Sequence, residues 1–411
     1  MANCYLYLHN APALRLWGLS YHQRLQRHFQ DQPRIGLTDD PESLAADDTL
    51  LVIDGRWLLD GRILRALSTA PQGCYRSSQS GGVVAVKLPA GRWHEAVRLL
   101  DKPSAPNPDL PTQVVEEVVS SVETQLRKVD RPLVLALDAA NRRAIENTLY
   151  GSAYKSVTDL VTKFVWPRPA RLVTRWCALL GLRPNHVTLV GVILMVLAGW
   201  CFYHGLYGWG LLAGWIMTFL DTVDGKLARV TITSSKLGNV LDHGMDLLHP
   251  PFWYWLWGLG LSQAGGWPAQ FFGLPLFDLD TAVCLIFIGY IGGRLAEGAF
   301  ELALGSFSLF TWRPFDSFNR LITARRNPCM ILLTAGWLLQ QPGAALAAVV
   351  LWTLFSTVLL WLRFVWAFIA RRRGPLESWL EQAESGQRFS YLAHRVFAPQ
   401  TLPSDNTAES R

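Results

Sequence analysis

The sequence predicts a membrane all-α domain of six transmembrane helices behind an N-terminal soluble α/β domain. Three observations point there. Half of the 411 residues are hydrophobic and 18 are Trp, and this apolar weight lies mainly after residue 185. Before residue 150, short β-branched or aliphatic runs alternate with helical patterns instead. Finally, Lys and Arg flank the apolar segments. Despite the formal net charge of +6, that spacing suits membrane orientation and argues against a nucleic-acid partner, which a single long basic run would favour.

Within residues 1–150 the runs 50–53, 82–88 and 132–137 read as strands, and 61–67 and 114–126 as helices. Strands alternating with helices favour a layered sheet with helical cover. The proline-rich stretch 102–111 reads as a surface loop. Asp54 and Asp60 are expected as a strand-end and a helix-cap residue. Six Cys without a C-x-x-C pair indicate neither a disulfide framework nor a zinc site, so a reducing, cytoplasm-facing soluble part is expected. No basic segment followed by an apolar core opens the chain, so no cleaved signal peptide is expected.

Residues 151–183 interleave Lys163, Arg168, Arg171 and Arg175 with Phe164, Trp166, Leu172 and Trp176. That mixture suits an amphipathic helix lying in the membrane interface. The membrane domain, 184–373, holds candidate spans at 186–205, 208–229, 237–261, 280–303, 328–341 and 343–370, each needing about 20 apolar residues. The fifth is short and is followed by Pro342. Basic residues at 168–183, 226–236, 313–326 and 371–373 all fall on one side, and the alternate loops carry no Lys or Arg. The positive-inside rule therefore puts both termini and the soluble domain on the cytoplasmic side of an inner, cytoplasmic membrane. Residues 374–411 read as a cytoplasmic tail, partly disordered.

Between the second and third spans the chain keeps Asp221, Asp224, Asp242 and Asp246. Charged groups at membrane depth cost about 2.5–3.5 kcal/mol each on insertion scales, so four retained carboxylates imply a use. On helices, Asp221, Asp224, Gly225 and Ala228 share one face, and Gly238, Asp242 and Asp246 share another. Hard oxygen ligands of this kind suit Mg²⁺, with Mn²⁺ as an alternative, and two such ions can clamp a pyrophosphate.

The pattern D-x-x-D-G-x-x-A-R-x8-G-x-x-x-D-x-x-x-D, filled by Asp221, Asp224, Gly225, Ala228, Arg229, Gly238, Asp242 and Asp246, resembles the signature of the CDP-alcohol phosphotransferase family. Eight fixed positions make this a specific motif. The resemblance covers the C-terminal two-thirds of the chain. It implies transfer of a substituted phosphate from a CDP-alcohol to a lipid or polyol acceptor with release of CMP, in phospholipid synthesis, by a homodimer in the bilayer. It also implies that Asp221, Asp224 and Asp242 hold two Mg²⁺ ions, with Asp246 shared between metal binding and base duty. Gly225, Ala228 and Gly238 would let the nucleotide lie against the helices, and Arg229 would counter phosphate charge. The P-N-x-x-T string is similar to the family's first span and assigns Asn185 and Thr188 to the nucleotide side.

His243 offers a second base. The string D-H-G-M-D resembles that of choline and ethanolamine phosphotransferases, where the histidine is the proposed base, and implies a diacylglycerol acceptor. The soluble N-terminal domain is vaguely similar to a nucleotidyltransferase-like domain that precedes the membrane domain in other relatives, which implies a polyol phosphate acceptor. Its stretch H-N-A-P-A-L-R-L lacks the glycines of a phosphate-cradling loop, so a non-catalytic domain is expected. A bifunctional enzyme whose N-terminal domain makes the CDP-alcohol is one alternative. A transporter or scaffold with a retired site is another. In the fourth span, Arg294 reads equally as a substrate contact or as a partner of Glu297 or Glu301. Arg325 and Arg326 read as positive-inside anchors or as holders of an acceptor phosphate.

Overall fold

Leu50, Leu51, Val52 and Ile53 are all fully buried, which a strand achieves only when both faces of its sheet are covered. The computed structural model describes residues 4–102, 110–233, 236–267, 270–271, 274–275, 278–305 and 307–401, with the side chains of 236–243, 246, 270–271 and 274–275 outside the description. The chain divides into two units.

The first unit comprises residues 1–123, 130–153 and 229–233. Its elements run β1 (Cys4–His9), α1 (Tyr21–Phe29), β2 (Ile35–Leu37), β3 (Thr49–Asp54), β4 (Trp57–Leu59), α2 (Gly61–Thr69), β5 (Gly73–Arg76), β6 (Val83–Pro89), α3 (Trp93–Asp101), β7 (Thr112–Val114), β8 (Val134–Ala136) and α4 (Arg142–Ser152). Six strands form one mixed sheet in the order β2-β1-β3-β6-β5-β7. β1 lies parallel to β2 and β3, whereas β6 runs antiparallel to β3 and β5. Alternation along β3 sends Leu51 and Ile53 into a core with Leu6, Leu25 and Ile63. Leu50 and Val52 go to the opposite face, with Val86, Leu88 and Leu100.

Asp60 caps α2 by accepting from the Arg62 amide at 2.9 Å, and Asp54, at the end of β3, pairs with Arg56 at 2.9 Å. Burial works against the Asp60 charge, yet Arg62 and the Leu133 amide hold its carboxyl below the usual range. The helix expected over 114–126 is not formed. Val114 ends β7, Val115–Glu117 makes one 3₁₀ turn, and Val115 is fully buried. A segment carrying Val114, Val115, Val118, Val119 and Val122 is stiff at χ1, which disfavours a helix, and its first residue, Val114, pairs with Arg76 of β5. Most of the proline-rich loop, 103–109, lies outside the described residues.

The second unit comprises residues 124–129, 154–228 and 234–411. A π-helical turn (Val161–Val165) leads into α5 (Pro167–Leu179), so the amphipathic stretch turns helical later than its expected start. Phe164, Leu172, Trp176 and Leu179 are more than half exposed on it, the apolar outer face an interfacial helix requires. Then follow α6 (Pro184–Tyr203), α7 (Tyr207–Val230), α8 (Lys236–Gln263), α9 (Leu279–Ala303), α10 (Pro314–Ile322), α11 (Arg326–Leu338) and α12 (Pro342–Arg371). Among the described residues three helices, α6, α9 and α12, are long and apolar enough to cross a membrane. The other three expected spans are helical too, but α7 carries Asp221, Asp224, Lys226 and Arg229 within its length. The fifth expected span corrects downwards: α11 has 13 residues, about 20 Å at 1.5 Å per residue, short of a hydrocarbon core of about 30 Å.

Large rings fill the centre, where Phe202, Tyr254 and Trp257 are fully buried beside Met330, Leu333 and Leu346. α9 and α12 pack closely through glycine. A Cβ on Gly289 would stand 2.9 Å from Thr353 Cγ2, and Thr357 donates to the Gly289 carbonyl at 2.5 Å. Part of the tail is helical. α13 (Trp379–Glu384) and α14 (Tyr391–Phe397) bury Trp379 and Phe397 completely, and Trp379 Nε1 donates to Ser317 Oγ at 2.9 Å. Residues 402–411 lie outside the described residues.

Candidate active site

The C-terminal half of α7 has two faces with opposite tasks. Val223 and Leu227 are fully buried against Ala170 and Cys177 of α5 and Val187 of α6. That packing fixes the rotation of α7, and hence where Asp221 and Asp224, one turn apart, are held. Asp224 is buried and accepts from the Thr188 hydroxyl at 2.6 Å, well inside the 3.2 Å from that hydroxyl to the Pro184 carbonyl. Asp221 Oδ2 accepts from Arg326 Nη2 at 2.5 Å. Both carboxylates thus keep an orienting donor supplied by another helix, α6 for one and α11 for the other.

Gly225 and Ala228 are half-buried on the acidic face. Neither presents bulk that would hold a ligand off the backbone. Lys226 points elsewhere, its ammonium 3.3 Å from the centre of the Tyr154 ring, a cation–π contact. Arg229 ends α7 within the first unit and donates to the Ala153 carbonyl at 3.3 Å. Asn185 is exposed in the first turn of α6. Gly238, Asp242, His243 and Asp246 occupy the first half of α8, and their side chains lie outside the described residues.

Around the start of α11 the arginines have definite partners. Arg325 pairs with Glu297. Arg294 donates to the Tyr290 hydroxyl at 3.1 Å, so of the two glutamates expected beside it, Glu297 is taken by Arg325. The guanidinium groups of Arg127, Arg320 and Arg325 lie 6.0, 5.4 and 5.6 Å from the centre of the Phe310 ring. Asn327, buried in the first turn of α11, donates to Asp159 at 2.9 Å. Burial opposes the Asp159 charge, but Arg320, the Thr162 amide and Asn327 hold its carboxyl below the usual range. Burial also draws Arg320 down to about 10. Sequence reading missed Asp159 and Arg320, since neither sits in a motif.

Among the described residues no three His, Cys, Asp or Glu side chains converge as a metal cluster. The described half of the acidic quartet is nonetheless the right donor set for a hard divalent cation. It offers carboxylate oxygens only, one turn apart, each oriented from behind by a neutral or cationic donor. Thr188→Val removes one of these donors. A 10–100-fold rise in the Mg²⁺ concentration for half-maximal activity is expected, the usual scale for losing a group that orients a ligand. An unchanged Mg²⁺ titration would refute the role of the Thr188–Asp224 contact.

Residues 182–291 match the CDP-alcohol phosphatidyltransferase family. The chain is 29% identical over 189 residues to human Cholinephosphotransferase 1, covering 42% of this chain and 44% of that protein. Over 180 residues it is 27% identical to Archaetidylinositol phosphate synthase of Pyrococcus horikoshii, covering 38% of this chain and 93% of that one. Choline/ethanolaminephosphotransferase 1 of Arabidopsis thaliana is 29% identical over 219 residues, with 45% and 54% covered. The chain thus spans less than half the length of the human relative.

Proposed function

We propose that this protein is an integral membrane CDP-alcohol phosphotransferase of phospholipid synthesis, which moves a substituted phosphate from a CDP-alcohol to an acceptor alcohol and releases CMP. One observation carries the reading. The family match over 182–291 contains every fixed position of the acidic signature, and two of its carboxylates, Asp221 and Asp224, are held on one turn of α7 by donors from α6 and α11.

In this reading Asp221, Asp224, Asp242 and Asp246 hold two Mg²⁺ ions. When bound, the ions neutralise the pyrophosphate and stabilise charge on the leaving CMP. The chain's own residues do the rest. Thr188 and Arg326 keep the two described carboxylates oriented. Gly225, Ala228 and Gly238 leave room for the cytidine and phosphates against the helices, with Asn185 at the nucleotide side and Arg229 countering phosphate charge. Asp246 or His243 takes the proton of the acceptor hydroxyl as its oxygen attacks phosphorus and the bond to CMP breaks. Arg294 and Arg325 reach substrate phosphate by exchanging Tyr290 and Glu297 for it, and Arg326 adds positive charge toward it while keeping Asp221.

Six helices, α6 to α9, α11 and α12, form the membrane domain, with α11 as the short member, and the protein acts as a homodimer. The acidic stretch, both termini and the N-terminal domain face the cytoplasm, a reading that the basic loops support. That domain is non-catalytic. The turn after β1, where a nucleotidyltransferase places its glycine-rich loop, is closed by His9 and Asn10 bonding to Asp101 at 3.3 and 3.1 Å.

The test is direct. Purified protein with Mg²⁺ and a panel of CDP-alcohols and acceptors should release CMP with at least one pair, and chelation should stop it. Absence of CMP with every pair would refute the proposal.

A further inference from the structure

The end of α7 is held from outside the helix. Residues 229–233 belong to the first unit, although α7 begins in the second. Arg24 of α1 donates from Nη1 to the Val230 carbonyl at 3.0 Å, and Arg27 donates from Nη1 to the Thr231 carbonyl at 2.7 Å. Arg24, Val230 and Thr231 are buried, and Arg27 is half-buried. Val230 is the last residue of α7, so its carbonyl has no donor within the helix. A cation at a helix C-terminus is also favoured by the helix dipole.

Two further observations set this contact apart from ordinary packing. Tyr21, Arg24, Leu25 and Phe29 form the buried face of α1. Taking a guanidinium out of water is expensive, and an apolar side chain there would serve the domain's own core better. Ile232, just beyond α7, sits at φ 51°. A β-branched residue in the left-handed region is strained, and such a backbone persists only where its surroundings over-determine it. The two arginines on the preceding carbonyls supply that restraint.

α1 is a firm support. Ser20 and Gln23 close a capping box at its start, the Tyr21 hydroxyl accepts from the Leu59 amide at 3.2 Å, and Leu25 is buried in the core on one face of the sheet. Asp224 stands six residues before Val230 on α7, about 9 Å along the axis at 1.5 Å per residue. Lys236 opens α8 six residues after Val230. The chain that Arg24 and Arg27 hold therefore leads from one half of the acidic stretch to the other.

We propose that the N-terminal domain is a brace for the cation site, with Arg24 and Arg27 as positioning residues that fix the end of α7 and, through it, the placement of Asp221 and Asp224. The cation rests on the phosphotransferase reading. The anchoring of α7 does not, and the two are measured separately and without turnover.

Full-length protein in nanodiscs is compared with Arg24→Met, which keeps length and apolar bulk but removes the donor, with Arg27→Gln, and with the double variant. Amide hydrogen exchange over 225–233 should quicken about ten-fold or more for each charge-assisted bond lost, while exchange in β1 and β3 stays parental. Mn²⁺ affinity, read from the free-ion EPR signal, should fall by between a few-fold and about thirty-fold in the double variant, the scale of coupling through packed elements. Arg27→Lys, which keeps a cation at the Thr231 carbonyl, should recover most of what Arg27→Gln loses. Parental exchange over 225–233 in the double variant would overturn the anchor. Equally quickened exchange in β1 and β3 would make the arginines core residues of the domain and overturn the brace, as would parental Mn²⁺ affinity beside a loosened α7. A parent protein that binds no Mn²⁺ would refute the metal reading, and the exchange comparison would still decide the anchor.

Discussion

Asp224→Asn is expected to reduce CMP release by about three orders of magnitude, since a metal-binding carboxylate supports several kcal/mol of transition-state charge stabilisation. The substitution keeps shape, and the amide oxygen can still accept from Thr188, now at 2.6 Å from Asp224. What it removes is the negative charge. Folding should therefore be preserved, and a melting temperature close to the parent's alongside lost CMP release separates chemistry from stability. The same substitution at Asp221 should have a similar effect and remove the charge it offers Arg326. A protein that works as a transporter or scaffold with a retired site would tolerate both. Near-parental CMP release by Asp224→Asn would remove the acidic stretch from the mechanism.

The largest stability effect is expected far from that stretch. Asp316 on α10 takes two hydrogen bonds from Arg363 of α12, at 2.6 and 2.7 Å, and the two side chains are 0% and 7% exposed. Trp312 and Trp366 flank the guanidinium at 4.5 and 4.7 Å. Asp316→Ala strands the arginine in this surrounding and should cost about 3–5 kcal/mol, as breaking a buried pair does. Thermal unfolding in detergent would show it as a lowered midpoint. The double variant Asp316→Leu with Arg363→Met removes both charges and should recover much of the loss. An unshifted midpoint for Asp316→Ala would mean that the pair contributes nothing to the fold.

Neither residue of that pair belongs to a motif, and 47 positions separate them. Nothing in the local sequence pairs Asp316 with Arg363 in preference to the other arginines near residue 320. By contrast, the strands at 50–53 and 82–88 were legible because buried aliphatic runs bounded by turn residues have few other solutions. The 114–126 segment misled because its apolar spacing fits a helix while its β-branched composition does not favour one, and only its first residue, Val114, pairs with β5. The tail was read from composition alone. Its polar composition hid Trp379 and Phe397, whose burial depends on helices elsewhere in the unit.

For the acidic stretch, spacing alone put Asp221 and Asp224 on one face, because helical periodicity is a local property of the chain. Eight positions at fixed intervals were likewise enough to suggest the family that residues 182–291 match. The donors behind those carboxylates were not legible. Thr188 reaches Asp224 across 36 positions and Arg326 reaches Asp221 across 105, distances that only helix packing closes. Short-range order follows from residue types and their period. The donors that orient the carboxylates are set by what a second helix brings within 3 Å, and that is decided in three dimensions.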